Sequence, residues 1–164
     1  MAQDIFLKFE GPDLKGESKD DKHKDEIEVE SVQFGVSQTG TFGSGTGGAA
    51  GKANFSAITV MIQSNKSSPE LWWNCATGQH FSKATLTFRK AGGKAGPIEY
   101  YKVTMEPCML TSHQVSGSKG DSIMMESFSL DFGKCTIEYS PQKEDGTADA
   151  PITHWWDQEA NKNG

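Results

Sequence analysis

Apolar residues recur at every second position through most of this chain, and that alternation predicts strands. Ile5, Leu7 and Phe9 alternate with Phe6, Lys8 and Glu10, the period of a half-buried strand. Ile27 and Val29 start a second strand, and Val32, Phe34 and Val36 continue it in the opposite phase. A phase slip of this kind predicts one long strand bent by a β-bulge. Its other face carries Ser31, Gln33, Gly35 and Ser37, small and uncharged instead of the usual Lys/Glu mixture. Phe55 and Ala57 lead into Ile58, Val60 and Ile62, with a further phase change.

Between residues 63 and 80 the period lengthens to that of a helix. Ser68 is placed to cap it, Pro69 fits the first turn, Glu70 suits the positive end of the dipole, and Gly78 suits the stop. Leu71, Trp72, Cys75 and Ala76 share the face expected to be buried. Alternation then returns in Ala84, Leu86 and Phe88, in Tyr101, Val103 and Met105, and in Phe128, Leu130 and Phe132. Pro107 is expected to interrupt the middle one of these, and beyond Gly133 the run Cys135, Ile137 and Tyr139 shifts phase again. Six or seven long strands with one short helix predict a mainly β protein. The expected form is a compact β-barrel or a two-sheet sandwich. Residues 1–142 form the barrel domain in this reading, and residues 143–164 a polar, turn-rich tail apart from Trp155 and Trp156.

A long glycine-rich loop interrupts the pattern between two strands. Residues 40–51 hold six glycines in twelve positions, with Phe42 as the one sizeable apolar side chain. Ordering such a stretch costs roughly 1–2 kcal/mol per residue, and little burial within the chain offsets it. The loop is therefore expected to stay mobile unless something outside the subunit holds it.

Composition narrows the function classes. A chain of 164 residues fits one domain, and nine Phe, four Trp and three Tyr are ample for a core. The net charge of −6 weighs against a nucleic-acid partner, which clustered Lys and Arg would have to hold. No apolar run approaches the ~18 residues that span a membrane, and the first ten residues lack the charged and apolar regions of a signal peptide. Cys75, Cys108 and Cys135 are an odd, scattered set that predicts reduced thiols in a protein folded in the cytoplasm. Residues 15–26 are almost entirely charged, with four Lys, five acids and His23, and predict a solvated loop.

No pattern carries catalysis. Gly43-x-Gly45-x-x-Gly48 matches the dinucleotide fingerprint in form, but a strand follows where a helix must hold the pyrophosphate. A P-loop fails at Thr46 and Ala53. Two S-x-x-K matches, at Ser116 and Ser140, lie in turns, and His23, His80, His113 and His154 sit in separate elements. No enzyme, cofactor or metal is expected. Small polar strand faces with a glycine arm suit a self-assembling structural unit.

Several short motifs, in order along nearly the whole chain, then give a resemblance. They are Lys15-Gly16-Glu17-Ser18-Lys19, Gly35-Val36-Ser37-Gln38-x-Gly40, the glycine loop closing in Ala50-Gly51-Lys52, and Ser68-Pro69 before the helix. Phe88-Arg89-Lys90-Ala91-Gly92-Gly93 and Tyr139-x-Pro141-Gln142-Lys143-x-Asp145-Gly146 complete the set. Together the chain resembles the Hcp family, the tube proteins of bacterial type VI secretion systems. The resemblance implies a compact two-sheet β-barrel with one short α-helix packed on its side, and a homohexamer whose rings stack into a tube within a contractile sheath beneath spike proteins. The tube is assembled in the bacterial cytoplasm and expelled, without a signal peptide, into the medium or a target cell. The resemblance also implies small effector proteins carried and chaperoned in the bore, with no membrane insertion.

Mapped onto this chain, the loop residues Gly40, Phe42, Gly43, Gly45, Gly47, Gly48, Gly51 and Lys52 are expected to meet neighbouring subunits or rings. Ser31, Gln33, Ser37, Ser127 and Ser129 are the candidates for the bore. About twenty residues follow Gln142, too few for the extra toxin domain of fused-effector relatives. Two other readings stay open at this point: a monomeric small-molecule-binding barrel and a secreted effector with its own site.

Overall fold

The computed structural model describes residues 3–43 and 51–164. β1 (Asp4–Glu10) pairs along its whole length with β8 (Lys83–Lys90), so that Leu7 faces Leu86 and Phe9 faces Ala84. A turn through Gly93–Ala95 joins β8 to β9 (Ile98–Ser116), and β9 turns back into β10 (Met125–Tyr139). The β9–β10 ladder is the longest in the molecule. β6 (Ile58–Gln63) pairs with the first half of β10, and β11 (Ile152–Asp157) with its second half. The fold is mainly β with a single α-helix among the described residues, as the alternation predicts. Its sheet curls around Leu7, Phe9, Ile58, Ile62, Leu86, Met105, Leu110, Phe128 and Leu130, all of them buried.

Residues 27–37 are not one bent strand. They form β2 (Ile27–Glu28), β3 (Ser31–Gln33) and β4 (Val36–Ser37). β2 pairs with β1 and β3 with β6. The chain changes partner between two consecutive residues: Val29 N–H donates to Ile5 at 2.9 Å, and Glu30 N–H donates to Met61 at 2.8 Å. The phase slip read as a bulge is this change of partner, which reverses the face turned to the core. The ladder does not close into a full barrel; the crossing chain spans the gap instead. β4 and β5 (Asn54–Phe55) make a separate two-stranded sheet at the base of the glycine loop.

Helix α1 (Ser68–Thr77) ends as expected at Gly78, whose φ of 68° is left-handed. Its N-cap is Ser67, without a side-chain cap bond, and Ser68 already lies in the first turn. Leu71 and Asn74 are its buried residues, whereas Trp72 is 62% exposed. The helix rests on β9 through a narrower stripe than the pattern predicts. Pro107 stays within β9 because its missing N–H falls beside the break between β7 (His80–Phe81) and β8. The tail returns to its own sheet, with Trp155 opposite Thr136 and Trp156 opposite Cys135, and β12 (Lys162–Asn163) pairs outside β11.

Candidate assembly surfaces

The cross-strand register puts four of the sequence-selected residues on one sheet face. Ser31 lies opposite Met61, Met61 opposite Ser127, and Ser127 opposite Gln114. The next row runs Gln33, Thr59, Ser129 and Ser112 across the same strands. Directly paired residues share a face, so β3, β6, β10 and β9 present a neutral, mostly polar floor. The opposite face of the same strands holds Val32, Val60 and Phe128 against the core. Met61, at the centre of the floor, is 40% exposed because the serines beside it are too short to cover it. Met61, Thr59, Ser112 and Gln114 were not selected from the sequence. Their alternation with buried neighbours was the available signal, but only the register joins them to Ser31 and Ser129. Ser37 sits apart, on β4, where its hydroxyl lies 3.5 Å from the Asn54 carbonyl.

The floor has two unpaired lateral edges among the described residues. β3 is paired only to β6, and residues 111–116 of β9 only to β10. Strand edges of this kind present free N–H and C=O groups to a further strand.

The glycine loop leaves from the small β4–β5 sheet. Gly40, Gly43, Gly51 and Lys52 are exposed, and Phe42 is 92% exposed. Gly51 N–H reaches the Thr39 carbonyl at 3.4 Å, closing the base of the loop. Gly45, Gly47 and Gly48 lie outside the described residues. Beside this base is an apolar groove of about 390 Å³, walled by Phe34, Val36, Phe55, Ile137, Trp155 and Trp156. Phe55 packs at 5.8 Å from Trp156 and edge-on to Phe132 at 6.0 Å. Lys134 Nζ stands 4.5 Å from the Trp155 ring centre.

The charged segment 15–26 is a loop whose Lys15, Glu17, Lys19, Asp21, Lys22 and Lys24 are exposed, as its composition predicts, while Asp20, Asp25 and Glu26 are half-buried and His23 is buried. Its two arms run side by side, Gly16 N–H donating to Asp25 at 2.8 Å. A Cβ at Gly16 would stand 2.5 Å from the Glu26 carbonyl, so the close approach needs glycine. His23 is buried, stacked on Phe6 with centroids 4.3 Å apart, and lies between Glu26 and Glu99, the latter at 2.7 Å. Arg89 binds Asp20 at 2.6 Å and Asp4 at 2.9 Å while its guanidinium stands over Phe6. The hydrogen bond from Arg89 pulls the Asp20 carboxyl down to about 2, and the same pair raises the Arg89 guanidinium. Phe6, placed on the polar side by strict alternation, is therefore buried under paired charges. Asp20, His23 and Glu26 are thus engaged within the subunit, while the lysines of the segment lie exposed at its surface.

A second buried network anchors the helix. Glu126, only 1% exposed, accepts hydrogen bonds from Ser68 and from His113 Nε2 at 2.7 Å. Burial pushes its carboxyl up, but the bonds from Ser64, Ser68 and His113 outweigh that and hold it below its ordinary value. Burial pushes the Cys108 thiol up to about 12 and Cys135 up to about 11. Among the described residues no cluster of three metal-ligating side chains occurs. No helix there is long and apolar enough to cross a membrane.

A mainly β subunit with one flanking helix, a neutral strand floor and a glycine-rich arm is therefore the structural class. The chain belongs to the Hcp family: the family model described as "Type VI secretion system effector, Hcp" matches residues 6–139. It is 38% identical over 157 residues to Protein hcp1 of Pseudomonas aeruginosa, covering 95% of each chain. Its fold is similar to a solved structure described as a type six secretion system protein (TM-score 0.91, 30% identity, 99% of this chain and 100% of that one). It is also similar to Hcp1 from Salmonella typhimurium, at TM-score 0.81 and 36% identity over the whole of both chains. The chain is thus a secreted type VI protein of a structural family rather than of a known enzyme family.

Proposed function

We propose that this chain is the tube subunit of a type VI secretion system, forming hexameric rings that stack and carry small effector proteins in the bore. The observation that carries the reading is the neutral four-stranded floor bounded by two unpaired edges. Edges that remain free in one subunit are matched by edges of the next, and a repeated head-to-tail contact closes into a ring. Four strands at about 4.8 Å spacing make a floor about 19 Å wide. Six floors joined edge to edge give a circumference of about 115 Å and a backbone bore of about 37 Å. The bore is then lined by Ser31, Gln33, Ser127 and Ser129 with Met61 at the centre of each floor, and the outer surface faces sheath proteins. Assembly takes place in the bacterial cytoplasm, and the tube leaves capped by spike proteins.

Negative-stain electron microscopy of the purified protein tests this. Six-fold rings with a lumen of about 35–40 Å are expected. Uniformly monomeric particles at high concentration overturn the reading. Gln33→Trp is expected to leave rings intact while displacing co-purified cargo; normal cargo retention removes Gln33 from the bore.

A further inference from the structure

We infer that Phe42 of one copy is the side chain that fills the aromatic groove of a second copy. The inference rests on the assembly reading above and names the contact through which the arm acts. Two unsatisfied apolar features lie close together in the same chain. Phe42 carries a phenyl ring that is 92% exposed on an otherwise glycine-rich arm. The groove has about 390 Å³ of space and is walled by Phe34, Val36, Phe55, Ile137, Trp155 and Trp156. Aromatic rings pack favourably at centroid separations of about 4.5–7 Å, edge-on or offset. The Phe55–Trp156 pair already sits at 5.8 Å, so an entering ring extends an existing cluster.

Charge selects the same pair. Asp, Glu, Lys and Arg make up 23% of the chain, yet none lines the groove and none occurs between Ser37 and Gly51. A neutral arm enters a neutral groove without stripping water from an ion, whereas the Lys15–Glu26 segment could not. Glycines on either side of Phe42 let the backbone come close to the groove walls. Six residues separate Val36 from Phe42, a reach of at most about 20 Å, so the chain's own groove is within range. The exposure of Phe42 shows that the single subunit does not use that option.

The test replaces Phe42 with p-benzoylphenylalanine, a photo-crosslinking ring of similar chemistry, in an equal mixture of ¹⁴N- and ¹⁵N-labelled protein. Assembled protein is irradiated and the cross-linked peptides are mapped by mass spectrometry. Mixed-isotope links to residues 34–36, 55 or 155–156 are expected. A second variant, Val36→Lys, places a charge at the exposed mouth of the groove. It is expected to keep the thermal melt of the parent and to lower the cross-link yield at least tenfold. Three results overturn the inference: links only within one chain, an unchanged yield in Val36→Lys, or links to another copy outside the groove. The last of these leaves the assembly reading standing, whereas six-fold rings without any mixed-isotope link remove the arm from that reading altogether.

Discussion

Replacing Glu126 by Gln tests whether a buried carboxylate, and not apolar contact alone, fixes α1 to the sheet. The exchange keeps shape and volume but removes the charge. In the parent, Ser64, Ser68 and His113 all donate to Glu126, which is 1% exposed. A bond to an ionised acceptor contributes roughly 1.5–3 kcal/mol and a neutral one roughly 0.5–1.5. Three bonds each weakened by about 1 kcal/mol give a loss of about 3 kcal/mol. Relief of the desolvation of a buried charge offsets part of this, and a net loss of about 2 kcal/mol is expected. For a domain of this size that lowers the melting temperature by about 4–8 °C at neutral pH.

The pH dependence supplies the second half of the test. The folded Glu126 carboxyl lies below its ordinary value of 4.5. Between the folded and unfolded values the unfolded chain binds more protons, so stability rises with pH there. The contribution is complete above about 4.5 and is lost as pH falls through the folded value. The Gln variant lacks this contribution, so the gap between the two proteins should narrow on acidification. Circular-dichroism melts of both proteins across pH 3–7 read it directly. A variant as stable as the parent at neutral pH, or a gap independent of pH, refutes the argument.

Three further predictions concern other parts of the molecule. Leu71→Ala should cost about 2–5 kcal/mol in chemical denaturation, and Trp72→Ala less than about 1, because only Leu71 is buried. Equal losses would reverse the assignment of the helix face. With a disulfide reagent at mildly alkaline pH, Cys75 should react at least ten times faster than Cys108 and Cys135, whose thiols burial pushes up to about 12 and about 11. Unfolding should bring all three into the fast class, and mass spectrometry of the labelled peptides distinguishes them. Deleting part of the segment 40–51 should leave the melting temperature within about 2 °C while reducing ring stacking in electron micrographs, because Phe42, its one sizeable apolar side chain, is 92% exposed. Unchanged stacking would deprive the arm of its role.

Much of the strand content was legible because alternation is a local property. Ile5, Leu7 and Phe9, or Phe128, Leu130 and Phe132, reveal their buried side without any knowledge of their partners. What alternation does not encode is which strand lies alongside. The slip between Val29 and Val32 carries the same sequence signal whether the strand bulges or changes neighbour, and only the hydrogen bonds to Ile5 and Met61 separate the two. The segment 15–26 was legible only in part, for a related reason. Its exposed lysines match the solvated loop that its composition suggests, but the pairing of Asp20 with Arg89 and of His23 with Glu99, more than sixty residues away in sequence, has no local signal. Trp72 misled in the opposite sense, since helical spacing admits it to the buried stripe although the sheet beneath is too narrow to cover it. The floor was legible as fragments: Ser31 and Gln33 on one stretch and Ser127 and Ser129 on another. Their meeting through Thr59 and Met61 depends on β6, whose place between them no local pattern gives.

The two longest strands have a mechanical consequence. β9 and β10 pair along their lengths through one register shift, between Ser129 and Leu130, and β10 contributes Ser127 and Ser129 to the floor and Cys135 and Ile137 to the groove. Eight residues separate Ser129 from Ile137, about 27 Å of extended chain. Hydrogen-bonded backbone stretches very little along its length, so one strand joins the two surfaces, bent where the register shifts beside Ser129. In the tube proposed above, a force applied at the floor would reach the groove through this one strand. In such a tube, contacts within a ring and contacts made by the arm would be strained together.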